Sequence, residues 1–333
     1  MQHSSSRVTT SDIYLHGKQY PGWEHEFFQL SAGLFTGVAS QVRLGPIQLF
    51  HDACNQAVEH RGHSWPGSRV FVSLLPGSSG SCWQGRRRTP QSLSTYTWDR
   101  GGRAHSTGPY QTVGFVIDDA WWNDYYLKAT GQPLPGDFYK TISAIPASSV
   151  AVLQARMLQM IAQSRATQDR REESLDADLA LDDMLGLLMR MIAERTPGWD
   201  NWSPPSTREY IVERAVDFID ENISRDISIV DICQMLRISP RTLEYSFRDL
   251  KGVTPVRYIQ MRRLGAIRKA LLEDPGVRQI KQHATSWGFS HLGRLSQAYR
   301  QLYGETPTQT RARGLAHVAD EVGASAPGIA GIQ

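Results

Sequence analysis

The chain has 333 residues, 40% of them hydrophobic and 21% charged, with a formal net charge of +3 at pH 7. That length allows two domains with real cores, and the composition is that of a globular protein rather than a disordered or fibrous one. No apolar run approaches the ~20 residues of a membrane-spanning helix. The polar start, Met1–Thr10, lacks the apolar stretch of a signal peptide, so a cytoplasmic protein with no membrane partner is expected.

Residues 12 to about 118 read as β structure. Short runs such as Gln48-Leu49-Phe50 and Val70 to Leu75 are separated by turn clusters at Gly45-Pro46, Pro66-Gly67-Ser68 and Pro76 to Gly80. Regular short strands with such punctuation suggest a sandwich or small barrel of the cupin kind. Two amphipathic helices are expected next, over 147–166 and 172–195, from apolar spacings of three and four at Val150, Leu153, Met157 and Ile161 and at Leu181, Met184, Leu188 and Met191. Their apolar surface serves either a subunit contact in a homodimer or packing within one chain.

The Pro- and Gly-containing stretch 197–206 reads as a linker, 207–313 as entirely helical, and the Gly- and Ala-rich 314–333 as a flexible tail. The N-terminal domain is then 12–196, and the fold class is α+β followed by an all-α domain. Charge is uneven along this plan. Residues 208–313 hold 18 Lys and Arg against 12 Asp and Glu, leaving 18 basic and 21 acidic residues elsewhere. A basic helical domain is what phosphate neutralisation requires.

The helical domain contains a duplication. Ser228 and Asp231 form a capping box before Ile229, Val230, Ile232 and Met235, a turn follows at Leu236-Arg237-Ile238, and Ser239-Pro240 restarts a helix with Ser as cap and Pro at the first position. Leu243, Phe247 and Leu250 lie on one face of it, and Arg241, Glu244, Tyr245 and Arg248 on the other. A second copy has Ala284 and Trp287, a turn at Gly288-Phe289, and a helix with Leu295, Tyr299 and Leu302 inward and Arg294, Ser296, Gln297 and Arg300 outward. Gly252-Val-Thr-Pro255 and Gly304-Glu-Thr-Pro307 close the two copies alike, and an Arg-rich helix from Pro255 to Leu272 joins them. Two helix-turn-helix units on one connector suit successive major grooves of double-stranded DNA, about 34 Å apart.

Residues 208–313 resemble the AraC/XylS family of bacterial transcription regulators in Ser239-Pro-Arg-Thr-Leu243, Phe247, Gly252 to Pro255, Arg263-Leu264 and Gly288-Phe289 through Tyr299 to Pro307. The resemblance implies a regulator of promoter DNA and RNA polymerase, probing bases with Arg241, Glu244 and Tyr245 from one helix and with Leu292, Gly293, Arg294, Ser296 and Gln297 from the other. Arg248 and Arg300 flank these sets. Arginine suits guanine, Gln297 adenine and Glu244 cytosine. Ser239, Arg262 and Arg268 are expected at phosphates. His291 departs from the family's usual capping Asp or Ser, with Ser290 as the substitute cap.

Asp12-Ile-Tyr14-Leu-His16, Trp23, Ile47 to Phe50, Trp65-Pro66, Phe71 and Gly288-Phe-Ser-His-Leu-Gly293 are similar to regulators of ethanolamine-utilisation operons within that family. That resemblance implies a ligand-responsive activator, with ethanolamine and adenosylcobalamin as candidate effectors and no cofactor required. A small barrel with aromatic lining is a usual ligand site, and His51, Trp65, Phe71, Trp83 and Tyr96 are its expected residues; core filling is the competing use of the same rings. His51, His60 and His63 lack the spacing of a metal set, so no metal is expected, and Arg86-Arg87-Arg88 reads as a solvated loop. Cys54, Cys82 and Cys233 are scattered and expected to be buried thiols. No catalytic residue is expected: there is no triad, Walker loop or dinucleotide fingerprint. The alternative is a cupin-like enzyme barrel with an accessory helical DNA-binding domain.

Overall fold

Period-two burial and period-3.6 burial divide the chain into a sheet-rich part and a helical part. The structure, a computed structural model, describes residues 3–90, 92–134, 143–144, 147–166, 174–193, 206–276, 279–289 and 291–324. Contacts divide the chain into two units, one of Met1–Ser31, Phe35–Glu213 and Ser246–Gly252, the other of Ala32–Leu34, Arg214–Tyr245 and Val253–Gln333. Most of the expected linker, 197–205, lies outside the described residues.

The sheet-rich unit opens with β1 (His3–Thr10), α1 (Ile13–Gly17), β2 (Glu24–Gln29), β3 (Gly37–Leu44), β4 (Ile47–Cys54), β5 (Val58–His63) and β6 (Ser68–Leu74). It continues with β7 (Ser81–Trp83), β8 (Arg86–Arg88), β9 (Ser92–Thr97), β10 (Gly102–Ser106), β11 (Tyr110–Asp118), α2 (Asp119–Thr130), β12 (Ser143–Ala144), α3 (Ala147–Ala166) and α4 (Ser174–Ala193). Two antiparallel sheets form, ordered β1-β3-β4-β11-β6-β9-β12 and β2-β5-β10-β7-β8. They are open sheets facing one another rather than one closed ring. The Ser-rich start, expected to precede the structure, is an edge strand: β1 pairs with β3 along its whole length, from His3 opposite Leu44 to Thr10 opposite Gly37.

Alternation along the larger sheet gives it two apolar faces. Val42, Leu49, Phe71, Phe115 and Ile117 point to one side, where α2, α3 and α4 bury Trp122, Leu153, Met157, Met184 and Leu188 against them. Ala39, Phe50, Val70, Val72, Tyr96 and Val116 point to the other side and meet Trp83 and Ala104 of the smaller sheet. The apolar stripes of α3 and α4 are thus used within the chain, with Val152 and Leu179 left exposed.

The helical part comprises α5 (Thr207–Asn222), α6 (Ile229–Leu236), α7 (Pro240–Lys251), α8 (Pro255–Glu273), α9 (Ile280–Ser286), α10 (Leu292–Tyr303) and α11 (Pro307–Ala324). Residues 314–324, expected in an irregular tail, continue α11 as helix. The reason is close packing: a Cβ on Gly314 would lie 2.6 Å from the Leu271 carbonyl oxygen, so only glycine lets α11 rest on α8 there. Residues 325–333 are outside the described set.

Candidate nucleic-acid interface and sensor cavity

Both helix-turn-helix units form where the sequence places them. Ser228 caps α6 through the Asp231 amide while Asp231 returns a bond to the Ser228 backbone, and Arg237 turns the chain at φ 54°. Ser239 Oγ accepts from the Thr242 amide at 3.1 Å and starts α7. Leu243 and Phe247 are fully buried, whereas Arg241, Glu244, Tyr245 and Arg248 are exposed. In the second unit Ala284, Leu295, Tyr299 and Leu302 are buried, and Trp287, expected inward, is half-buried. Leu292, Gly293, Arg294, Gln297 and Arg300 are exposed and Ser296 half-buried. His291 is the N-cap of α10 but makes no side-chain capping bond, and Ser290 lies outside the described residues. Arg241 and Arg294 have no hydrogen bond or ion pair among the described residues. Their guanidinium groups are therefore uncommitted, as donors to bases must be.

Two of the expected phosphate contacts are corrected. Arg262 and Arg268 are each 3% exposed. Arg262 pairs with Asp220 at 2.6 Å and Arg268 with Glu305 at 2.7 Å. Arg268 also donates to the Tyr299 hydroxyl at 3.2 Å and stands 4.3 Å over the Tyr303 ring. Both arginines were expected at phosphates on the Arg-rich connecting helix, but they form internal ion pairs. Ser239 is exposed, with its hydroxyl engaged in capping.

In the sheet-rich unit a cavity of ≈ 440 Å³, open solvent at its mouth included, lies among side chains that point inward from both sheets. Of the expected effector residues, Trp83 and Tyr96 line it. Phe71 does not: it stacks on Phe115 at 4.6 Å in the helix-side core. His51 follows Phe50 on β4 and therefore projects to the opposite face. Trp65 packs beside the inter-sheet core, with the Arg43 guanidinium 4.4 Å over its ring.

The wall includes residues outside the expected effector set: Tyr20, Trp23, His25, Asp52, His60 and Arg88. His60 and His63 point to opposite faces of β5, and His63 Nδ1 contacts the Trp98 carbonyl at 2.6 Å instead. Arg88, expected in a loop, is the buried end of β8 and donates to the Val72 carbonyl at 3.2 Å. Its Nε, the Trp83 Nε1, both ring nitrogens of His25 and Nε2 of His60 are buried with no hydrogen-bond partner among the described residues. Burial holds His25 well below the ordinary histidine range and brings His60 down to about 4. Both rings are neutral at pH 7. Burial also lowers Arg88 to about 10, leaving it charged. Unmade hydrogen bonds of buried groups cost about 1–3 kcal/mol each, and a polar ligand would satisfy them.

Below this wall Asp52 is held by the Tyr20 hydroxyl at 2.6 Å and His16 Nε2 at 3.1 Å. Burial alone would raise its carboxyl, but the adjacent His16 ring and the bonds from His16 and Tyr20 pull it well below the usual carboxylate range. The one carboxylate in the strand Ile47–Cys54 was the available signal, because an acid on a buried strand needs partners.

Two helix-turn-helix units with exposed arginines on their outward helices have the arrangement of a DNA-binding domain. A helix-turn-helix domain family model matches residues 232–313. A transcriptional activator of the XylDLEGF operon from Pseudomonas putida is 44% identical over 100 residues, covering 29% of this chain and 31% of the relative. A probable thc operon regulatory protein from Rhodococcus erythropolis is 29% identical over 109 residues, covering 32% of this chain and 33% of the relative. The matches to these curated relatives span about a third of their length. Among solved structures, a probable AraC family transcriptional regulator from Rhodopseudomonas palustris is 28% identical over 32% of this chain and 97% of its own, with a TM-score of 0.31. Residues 232–313 thus match a helix-turn-helix domain model, and the C-terminal third of the chain is similar to part of these operon regulators.

Proposed function

We propose that the whole chain is a ligand-responsive activator of transcription, in which α7 and α10 read base edges in successive major grooves of promoter DNA and the cavity of the sheet-rich unit holds the effector. The observation that carries the first half is the pair of uncommitted guanidinium groups, Arg241 and Arg294, on the exposed faces of two helices whose opposite faces are buried. α8, 19 residues long, would span roughly 28 Å and act as the spacer between them. The Pseudomonas putida relative is an operon transcriptional activator, which supports activation. A homodimer would engage two half-sites and gain affinity by effective concentration.

The effector half rests on unmade hydrogen bonds in an aromatic-walled cavity. Ethanolamine is the first effector to test: its ammonium suits the rings of Trp23 and Tyr96, and its hydroxyl suits the neutral histidines. Adenosylcobalamin is far too bulky for this cavity and would act elsewhere. The test is a reporter gene driven by the promoter beside the protein's own gene. Ethanolamine-dependent transcription that is lost in Trp83→Ala supports the reading. Transcription that needs the protein but ignores every small polar ligand refutes the effector half, and transcription indifferent to the protein refutes the whole.

A further inference from the structure

Three metal-ligating side chains of the sheet-rich unit converge below the cavity, where the DNA-binding reading has no use for them. His16 comes from α1, and Asp52 and Cys54, two residues apart, project from the same face of β4. All three are buried. His16 Nε2 lies 3.1 Å from Asp52 Oδ2, Cys54 Sγ lies 3.7 Å from His16 Nε2, and Cys54 Sγ lies 3.6 Å from Asp52 Oδ1. A tetrahedral zinc with Zn–N, Zn–O and Zn–S bonds of about 2.0–2.3 Å spaces its donor atoms roughly 3.3–3.6 Å apart. The His16 edge ends on Asp52 Oδ2 and the Cys54 edge on Oδ1, and with one ligand atom taken from each residue all three lie within 4.8 Å of one another, close enough for a small shift to close on one ion.

The surroundings have the features that orient metal ligands. Thr10 Oγ1 lies 2.9 Å from His16 Nδ1 and can accept an Nδ1–H, which is the tautomer that a metal at Nε2 requires. Asp12 caps α1 by accepting from the Tyr14 amide at 2.8 Å, which fixes the helix that carries His16. A Cβ at Gly37 would lie 2.5 Å from His16 Nδ1, so the bare glycine backbone sets the ring's position. The Tyr20 and Tyr110 hydroxyls hold the carboxylate. A cleft lined by Thr36, Ala53, Cys54 and Tyr110 borders the cluster at Cys54.

We propose that His16, Asp52 and Cys54 form a binding site for a zinc-class divalent transition metal, with one nitrogen, one oxygen and one sulfur ligand. The carboxylate and the thiolate together neutralise the two positive charges, which a buried ion requires. On binding, the Cys54 S–H bond breaks, the sulfur pair forms the metal bond and its proton leaves to buffer, one per metal, while His16 moves its ring proton from Nε2 to Nδ1 and gives the Nε2 pair to the metal. Three protein ligands leave a fourth position, and Asp52 lines the aromatic cavity, so that position is available to a polar ligand held there.

The full chain, stripped with chelator, is titrated with Co²⁺ and then Zn²⁺ by equilibrium dialysis. The expected result is one equivalent bound, a thiolate-to-cobalt charge-transfer band in the near ultraviolet, and displacement of cobalt by zinc. Cys54→Ser should abolish the band and weaken metal affinity at least tenfold, while Cys82→Ser and Cys233→Ser leave both unchanged. Zinc-edge X-ray absorption on the wild-type chain needs no variant and should show one sulfur at about 2.3 Å with lighter atoms at about 2.0–2.1 Å. Absence of stoichiometric uptake, a band that survives in Cys54→Ser, or a zinc shell without sulfur overturns the proposal. None of these readouts depends on DNA binding.

Discussion

Replacing Arg268 separates a structural arginine from a DNA contact. The guanidinium is 3% exposed, donates to Glu305 at 2.7 Å and to Tyr299 at 3.2 Å, and lies over the Tyr303 ring. Removing one partner of a buried ion pair typically costs about 3–5 kcal/mol, because the other charge stays buried without compensation. Here Glu305 keeps Arg313 at 2.7 Å, so Arg268→Ala is expected at the lower end, about 3 kcal/mol. Arg268→Met retains the stem against Tyr299 and Tyr303 and should lose less. Urea unfolding of the full chain, followed through the transition of the helical part, measures the loss. The salt dependence of DNA affinity, measured where each variant is folded, is the second readout. Loss of one phosphate contact would flatten the slope of log K against log salt by about 0.9. Lower stability with an unchanged slope is the expected pattern; unchanged stability with a flatter slope would refute the burial argument.

Arg294→Ala should cost about 1–3 kcal/mol on the preferred site and relax preference at one base pair, as read by anisotropy against a panel of single-base variants; equal weakening on all sequences would make it a phosphate contact. Gly314→Val puts a branched side chain against the Leu271 carbonyl and should lower the unfolding midpoint of the helical part, with Gly314→Ala smaller in effect; unchanged midpoints would show that α11 does not rest on α8. Stability should also fall on acidification. His60 is neutral in the fold with its pKa at about 4, whereas the unfolded chain protonates it near 6.5. The unfolded state thus binds more protons between those values, and stability declines as pH falls through that window, by about 2 kcal/mol at pH 5 for this group alone. Urea midpoints at pH 7.5 and 5 should differ accordingly, and the difference should shrink in His60→Phe.

The DNA-binding helices were legible because their signals are local. A capping box at Ser228 and Asp231, a cap at Ser239 and apolar spacings of three and four need only one turn of chain to act. The partners of Arg262 and Arg268 are Asp220 on α5 and Glu305 after α10, and no local pattern announces such pairs. The cavity is non-local in the same way. His25 reaches it from β2, Asp52 from β4, His60 from β5 and Arg88 from β8, and the register of each pairing decides which face a residue takes. A shift of one residue separates Asp52, which lines the cavity, from His51, which faces away. The Ser-rich β1 has no apolar alternation because it is a sheet edge, and only its pairing with β3 makes it a strand.

Fluorescence anisotropy of the DNA beside the protein's own gene, against a scrambled duplex at fixed salt, tests the central claim most directly. The account predicts tight binding to the specific duplex, with preference over scrambled DNA reduced in both Arg241→Ala and Arg294→Ala. Equal binding to both duplexes across the neighbouring promoters, or preference indifferent to both arginines, would contradict it.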